Sequence, residues 1–158
     1  MDNSPNFRWF FFHLFTAIQP LSEDPPAALC AFEIQVYVYG DSWGKGGEVL
    51  YQSLRLKPPQ AMMHNGEAIS RYKRIALEEL PEYAADHLFV SVRNVPGSSK
   101  HANTIMSSAV WSSLQAVRNR KVYEVDSDMF YGFDPISLEA QLEEVFKCLN
   151  SNLSKPYH

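Results

Sequence analysis

Between Tyr39 and Leu50 the chain reads YGDSWGKGGEVL, with glycines at 40, 44, 46 and 47, a tryptophan at 43 and a lysine at 45. Glycines beside a lysine can cradle phosphate, because small residues let backbone amides approach an anion and the lysine adds charge. The spacing does not fit that chemistry. A phosphate loop needs GxxxxGK followed by Ser or Thr, and a dinucleotide turn needs GxGxxG. Neither is present. Turn-forming glycines with Glu48 at a helix start account for most of the stretch. They do not account for a large indole on a turn. Trp43 and Lys45 are therefore the first candidate binding residues.

Other chemistry is sparse. Asp41, Ser42 and Glu48 have acid–base or nucleophilic groups, but no histidine or second carboxylate is spaced to orient a nucleophile. The expectation is a non-enzyme without catalytic residues. The five histidines (13, 64, 87, 101, 158) form no HxxxH or HExxH pair, and Cys30 and Cys148 form no CxxC. No metal site, disulfide framework or cofactor is expected. The formal net charge of −4 argues against a nucleic-acid partner, which would require a basic face.

The elements that must position these residues follow from periodicity. A length of 158 residues favours one domain. Residues 7–15 (FRWFFFHLF) are too short to span a bilayer as a helix. The acidic, polar start is unlike a signal peptide, and Leu29 spoils the lipoprotein-like AALC at 27–30. Prolines in QPLSEDPP break regular structure. The reading is an irregular appendage at 1–26, a domain at 27–153 and a tail at 154–158. Deleting 1–26 is expected to change solubility or oligomeric state.

Within the domain, strands are expected at 28–40, 87–92 and 120–126, with a short one at 61–63. Helices are expected from Lys45 to Leu56, near 77–82, at 104–117 and at 134–153. The last has Asp134 as N-cap and Pro135 in its first turn. Residues 95–103 read as a loop, and Trp111 reads as core. Strands alternating with helices imply an α/β fold: a single Rossmann-like three-layer lobe with a mostly parallel sheet. Ligands bind beyond the carboxyl ends of such strands. The segments after Tyr39, Val92 and Val125 would then bring Trp43, Lys45, Arg93, Phe130 and Tyr131 to one rim. An aromatic and basic rim suits a planar or anionic ligand.

Four stretches in series carry a family resemblance: VYVYGDSWGKGGEVLYQSLRLKPP, EELPEYAADHLFVSV, VWSSLQAVRNRKVYEVD and FYGFDPISLEAQLEEVF. Over residues 30–149 they resemble the carboxyl-terminal lobe of the iron–siderophore substrate-binding proteins of ABC importers. The nearest type is the iron–hydroxamate binders of Gram-positive bacteria. The resemblance implies the C-terminal lobe of a class III, helical-backbone periplasmic binding protein. Its ligand would be a ferric siderophore that carries its own iron. The family's WGRGGE turn aligns Trp43 and Lys45 with its ligand-contacting tryptophan and arginine. Lysine for arginine is a departure that keeps the charge but loses the planar fork. The family's aromatic before the DP helix start aligns with Tyr131, and its permease-docking glutamate with Glu78.

A complete family member is about twice as long. The resemblance thus implies ABC permease subunits as partners, and either an absent amino-terminal lobe or a second copy of the chain. The family is extracytoplasmic and lipid-anchored. The absence of a convincing signal or lipobox leaves a cytoplasmic siderophore-sensing or interaction domain, related to AraC-type regulators, as the alternative. A small α/β enzyme is the third reading.

Overall fold

A computed structural model of the chain describes residues 9–15, 35–42, 44–93 and 96–150, with 9–15 and Gln35 described as backbone alone. Five strands form one sheet: β1 (Trp9–Phe15), β2 (Gln35–Tyr39), β5 (Tyr72–Ile75), β6 (His87–Val92) and β7 (Val122–Val125). Their order is β5-β2-β1-β6-β7. A separate hairpin pairs β3 (Met63–His64) with β4 (Glu67–Ala68). The helices are α1 (Leu80–Tyr83), α2 (Ser98–Met106), α3 (Ala109–Ser113), α4 (Gln115–Arg118) and α5 (Pro135–Asn150).

The fold is the α/β lobe expected from the sequence, and its parallel part is β1-β6-β7. The ladders β1–β2 and β2–β5 are antiparallel. Alternation of elements in the chain does not fix direction, and sheets with antiparallel edge strands are common.

The reading of residues 1–26 as an irregular appendage is corrected at β1. Phe12 sits opposite Val38 on one side and Val90 on the other, so β1 is the middle strand. An aromatic run is good strand material, and the prolines that suggested a boundary lie downstream of it. The rest of 1–34 falls outside the described residues, as does the tail at 154–158.

The pleat sends alternate side chains to opposite faces. Val36, Val38, Leu88 and Val90 face one side and pack with Leu80, Ile105, Trp111 and Leu114. Phe89 and Val125 face the other side and pack with Val49, Leu50, Phe130 and Val145. Helices α1–α4 thus cover one face, and α5 with the turn at 48–53 covers part of the other. Burying each such large aliphatic side chain contributes about 1.5–3 kcal/mol.

Several local expectations are revised. The helix expected at 104–117 is three short helices. Ser108 caps α3 by accepting from Trp111 N at 3.1 Å, and Leu114 is extended (ψ 136°). Trp111 is buried, as expected. The loop expected at 95–103 ends early, because Gly97 (φ 89°) starts α2. The helix expected from Lys45 is one wide helical turn, Glu48–Ser53, followed by Leu54 N donating to Val49 O at 2.9 Å. Residues 60–62 form a 3-10 turn, and 77–79 another that runs into α1. β5 has no counterpart in the sequence reading. At α5, Asp134 Oδ1 accepts from Ile136 N and Ser137 N at 3.1 Å each, the expected N-cap.

Candidate functional site

On the sheet face that carries α5, this helix and the 48–53 turn pack over β6 and β7. Over β2 and β5 the pleat puts Tyr37, Tyr39 and Tyr72, which line a cleft among the described residues. Tyr72 meets Tyr37 edge-on (5.7 Å between centroids, 68° between planes) and Tyr39 at a tilt (5.8 Å, 41°). These rings floor a cleft of about 760 Å³, a volume that suits a small-molecule ligand. Burial raises the Tyr39 and Tyr37 phenols above their ordinary value, so both are neutral donors at physiological pH.

One wall is the turn after β2. It closes on itself through Gly44 N, which donates to Glu48 Oε1 at 2.7 Å. Gly44 has φ 71°, and a Cβ there would lie 2.8 Å from Tyr131 O. Only glycine allows both the left-handed backbone and that close approach. Ser42 Oγ donates to Ser70 O at 2.9 Å, linking the turn to the segment before β5.

The other wall is the loop after β7, a 3-10 turn at Met129–Tyr131. The two walls are stitched together at Lys45. Its backbone N donates to Phe130 O at 2.7 Å, and its Nζ donates to Ser127 O at 3.3 Å. The Nζ also lies 4.4 Å from the centroid of the Tyr131 ring. Lys45 is only 8% exposed. Burial first, then the nearby Arg93, lowers its pKa to about 8, with Asp128 opposing. Arg93 and Arg71 also line the cleft, so its cations outnumber the carboxylate of Glu48.

Lys45, Arg93 and Tyr131 therefore meet in one cleft. The route differs from the parallel-edge argument, because β2 runs opposite to β6 and β7 and it is the contacts of Lys45 with residues 127–130 that join the walls. Trp43 lies outside the described residues. Phe130 is corrected: it is wholly buried against Val145 and its neighbours and is not on the rim. Consecutive residues of a 3-10 turn point about a third of a turn apart, so Phe130 faces inward while Tyr131 faces out. Glu78 is exposed on the turn before α1, outside the cleft. The residues missed were Tyr37, Tyr39, Tyr72, Arg71 and Phe133. For the first two a signal existed: VYVY alternates with period two beside two buried valines.

Among the described residues no group of three His, Cys, Asp or Glu side chains is placed to hold a metal ion. No helix among them is long and apolar enough to cross a membrane.

Comparison with known proteins follows this geometry. Residues 16–129 match the family model described as periplasmic binding protein. The iron(3+)-hydroxamate-binding protein YxeB of Bacillus subtilis is 35% identical over 109 residues, 69% of this chain and 34% of its own length. The iron(3+)-hydroxamate-binding protein FhuD of the same organism is 36% identical over 117 residues, 72% of this chain and 36% of its own length. A FhuD fold-family crystal structure from B. subtilis superposes with a TM-score of 0.71 at 27% identity, covering 94% of this chain and 48% of that one. It is described as the periplasmic binding protein component of a Fep/Fec-like ferrichrome ABC transporter. The chain thus spans about a third of the length of these curated relatives and about half of that structure.

Proposed function

The chain belongs to the periplasmic binding protein family, and on that premise we propose that it binds a ferric siderophore of the hydroxamate class, as one lobe of a receptor for an ABC importer. The observation that carries this reading is the cleft: a tyrosine floor beside a buried lysine and two arginines. A ferric hydroxamate presents electron-rich oxygens around the metal and apolar methylenes outside it. Tyrosine rings pack on the methylenes, while Lys45 and the arginines donate to the oxygens. The siderophore keeps the iron, so the protein need not supply iron ligands. The printed functions of YxeB and FhuD support the same ligand class. The resemblance assigns a further ligand contact to Trp43 and a permease contact to Glu78, which is solvent-exposed as such a contact requires.

Fluorescence titration of the purified chain tests the reading. A ferric trihydroxamate, its iron-free form and a ferric triscatecholate are compared, with Trp43→Phe run alongside to separate binding from light absorption by the ligand. Saturable quenching by the ferric trihydroxamate, weaker with the other two, is expected. Equal response to all three, or no saturable response, would overturn it.

A further inference from the structure

The cleft wall that carries Tyr131 is held from behind by α5. Gln141 is wholly buried in that helix. Its Nε2 donates to Met129 O at 3.0 Å and to Gly132 O at 2.7 Å. These two carbonyls bracket Phe130 and Tyr131. One amide thus pins both ends of the turn that aims the Tyr131 ring over Lys45. Its Oε1 is buried without a hydrogen-bond partner among the described residues. Reversing the amide would set its oxygen against two carbonyl oxygens, so the donor pair fixes the orientation. A leucine or methionine would fill the same space without the orphaned Oε1, but would strip the Met129 and Gly132 carbonyls of their donor. The two donated bonds are the polar contacts this buried amide makes among the described residues.

We propose that Gln141 is the positioning residue of the binding cleft, clamping the Met129–Gly132 turn so that Tyr131 and Lys45 meet the ligand as a preformed pair. The proposal rests on the cleft being the ligand site, but it makes a prediction without ligand. Lys45 is sequestered by the turn that Gln141 holds, with Arg93, Asp128, the Ser127 carbonyl and the Tyr131 ring facing its ammonium. If the clamp is released, water reaches the ammonium.

The test compares the full chain with Gln141→Met, and with Gln141→Leu as a second, equally uncharged variant. First, the Lys45 side chain is titrated by NMR on ¹³C-labelled lysine. The wild type is expected to titrate near 8, and both variants at least ~1 unit higher as solvation is restored. Unchanged titration in folded variants would overturn the proposal. Second, affinity for a ferric trihydroxamate is measured in wild type, Gln141→Met, Tyr131→Ala and the double variant. Gln141→Met should weaken binding by roughly tenfold alone and by little more once Tyr131 is gone. Full additivity, which a general packing defect would give, would also overturn it. If the wild type fails to bind the trihydroxamate, the ligand assignment falls, and the lysine titration still decides the role of Gln141.

Discussion

The Lys45 ammonium lies 4.4 Å from the centroid of the Tyr131 ring, and the Lys45 backbone is tied to the residue before that ring by a 2.7 Å hydrogen bond to Phe130 O. The pair joins the turn after β2 to the loop after β7. A cation over an aromatic face is attracted by the ring quadrupole, and more strongly when water is kept away. The same contact that partly dehydrates the lysine also presents it to whatever enters the cleft.

The dehydrated lysine predicts a pH dependence. Burial and Arg93 lower Lys45 from 10.5 to about 8 in the folded chain. Between about 8 and 10.5 the unfolded chain holds more protons, so the Lys45 contribution to stability rises with pH across that window. Affinity for a ligand that presents oxygens runs the other way: level below about pH 8 and falling above it. Lys45→Arg, which stays charged, should flatten that profile. Titrations at neutral and alkaline pH check this, and a wild-type affinity unaffected by alkaline pH would contradict it.

Phe130 and Tyr131 should separate stability from binding. Phe130→Ala removes a wholly buried ring and is expected to cost about 3–5 kcal/mol of stability. Tyr131 is 69% exposed, so Tyr131→Ala should leave the unfolding midpoint nearly unchanged while weakening ligand binding several-fold. Tyr131→Phe keeps the ring face and should bind nearly as well as the wild type. Denaturant unfolding and ligand titration on the same samples measure both effects.

At His87, the first residue of β6, the ring stacks on Tyr123 at 5.9 Å and its Nδ1 lies 3.0 Å from the Tyr123 hydroxyl. Burial, then Lys121, lowers its pKa to about 4, with Asp86 opposing. The unfolded chain takes up this proton first as pH falls below about 6.5. Stability from neutral His87 is therefore present above that pH and lost progressively down to about 4. His87→Phe should remove most of that slope from a plot of unfolding free energy against pH, and an unchanged slope would contradict this account.

The central position of β1 can be tested directly. Phe12 pairs with strands on both sides, and a proline inside a central strand removes a ladder hydrogen bond. Phe12→Pro is expected to abolish cooperative unfolding, as is deletion of residues 9–15. A deletion variant that unfolds cooperatively at the wild-type midpoint would return β1 to the status of an appendage.

How much of this was legible varied by residue. Lys45, Arg93 and Tyr131 could be picked out because each follows a segment that reads plainly as a strand. Tyr72 could not, because β5 has a single buried residue, Ile75, and RYKRI shows no alternation to read. Phe130 and Tyr131 are adjacent aromatics, and only the 3-10 geometry decides which faces the core. β1 was misread because the prolines after it looked like a boundary, and strand order cannot be seen in a linear pattern. Gln141 was invisible, since a glutamine on an amphipathic helix ordinarily faces water. The lobe itself was legible because VYVYG, HLFVSV and KVYEV are separated by helix-forming segments in the α/β rhythm.

The measurement that bears most directly on the cleft is an equilibrium titration of the purified 158-residue chain with a ferric trihydroxamate, wild type against Lys45→Met. Saturable binding by the wild type, weakened roughly tenfold or more in a Lys45→Met chain of unchanged stability, is the predicted result. Equal binding by the two chains, or none by the wild type, would contradict the assignment of this cleft as the siderophore site.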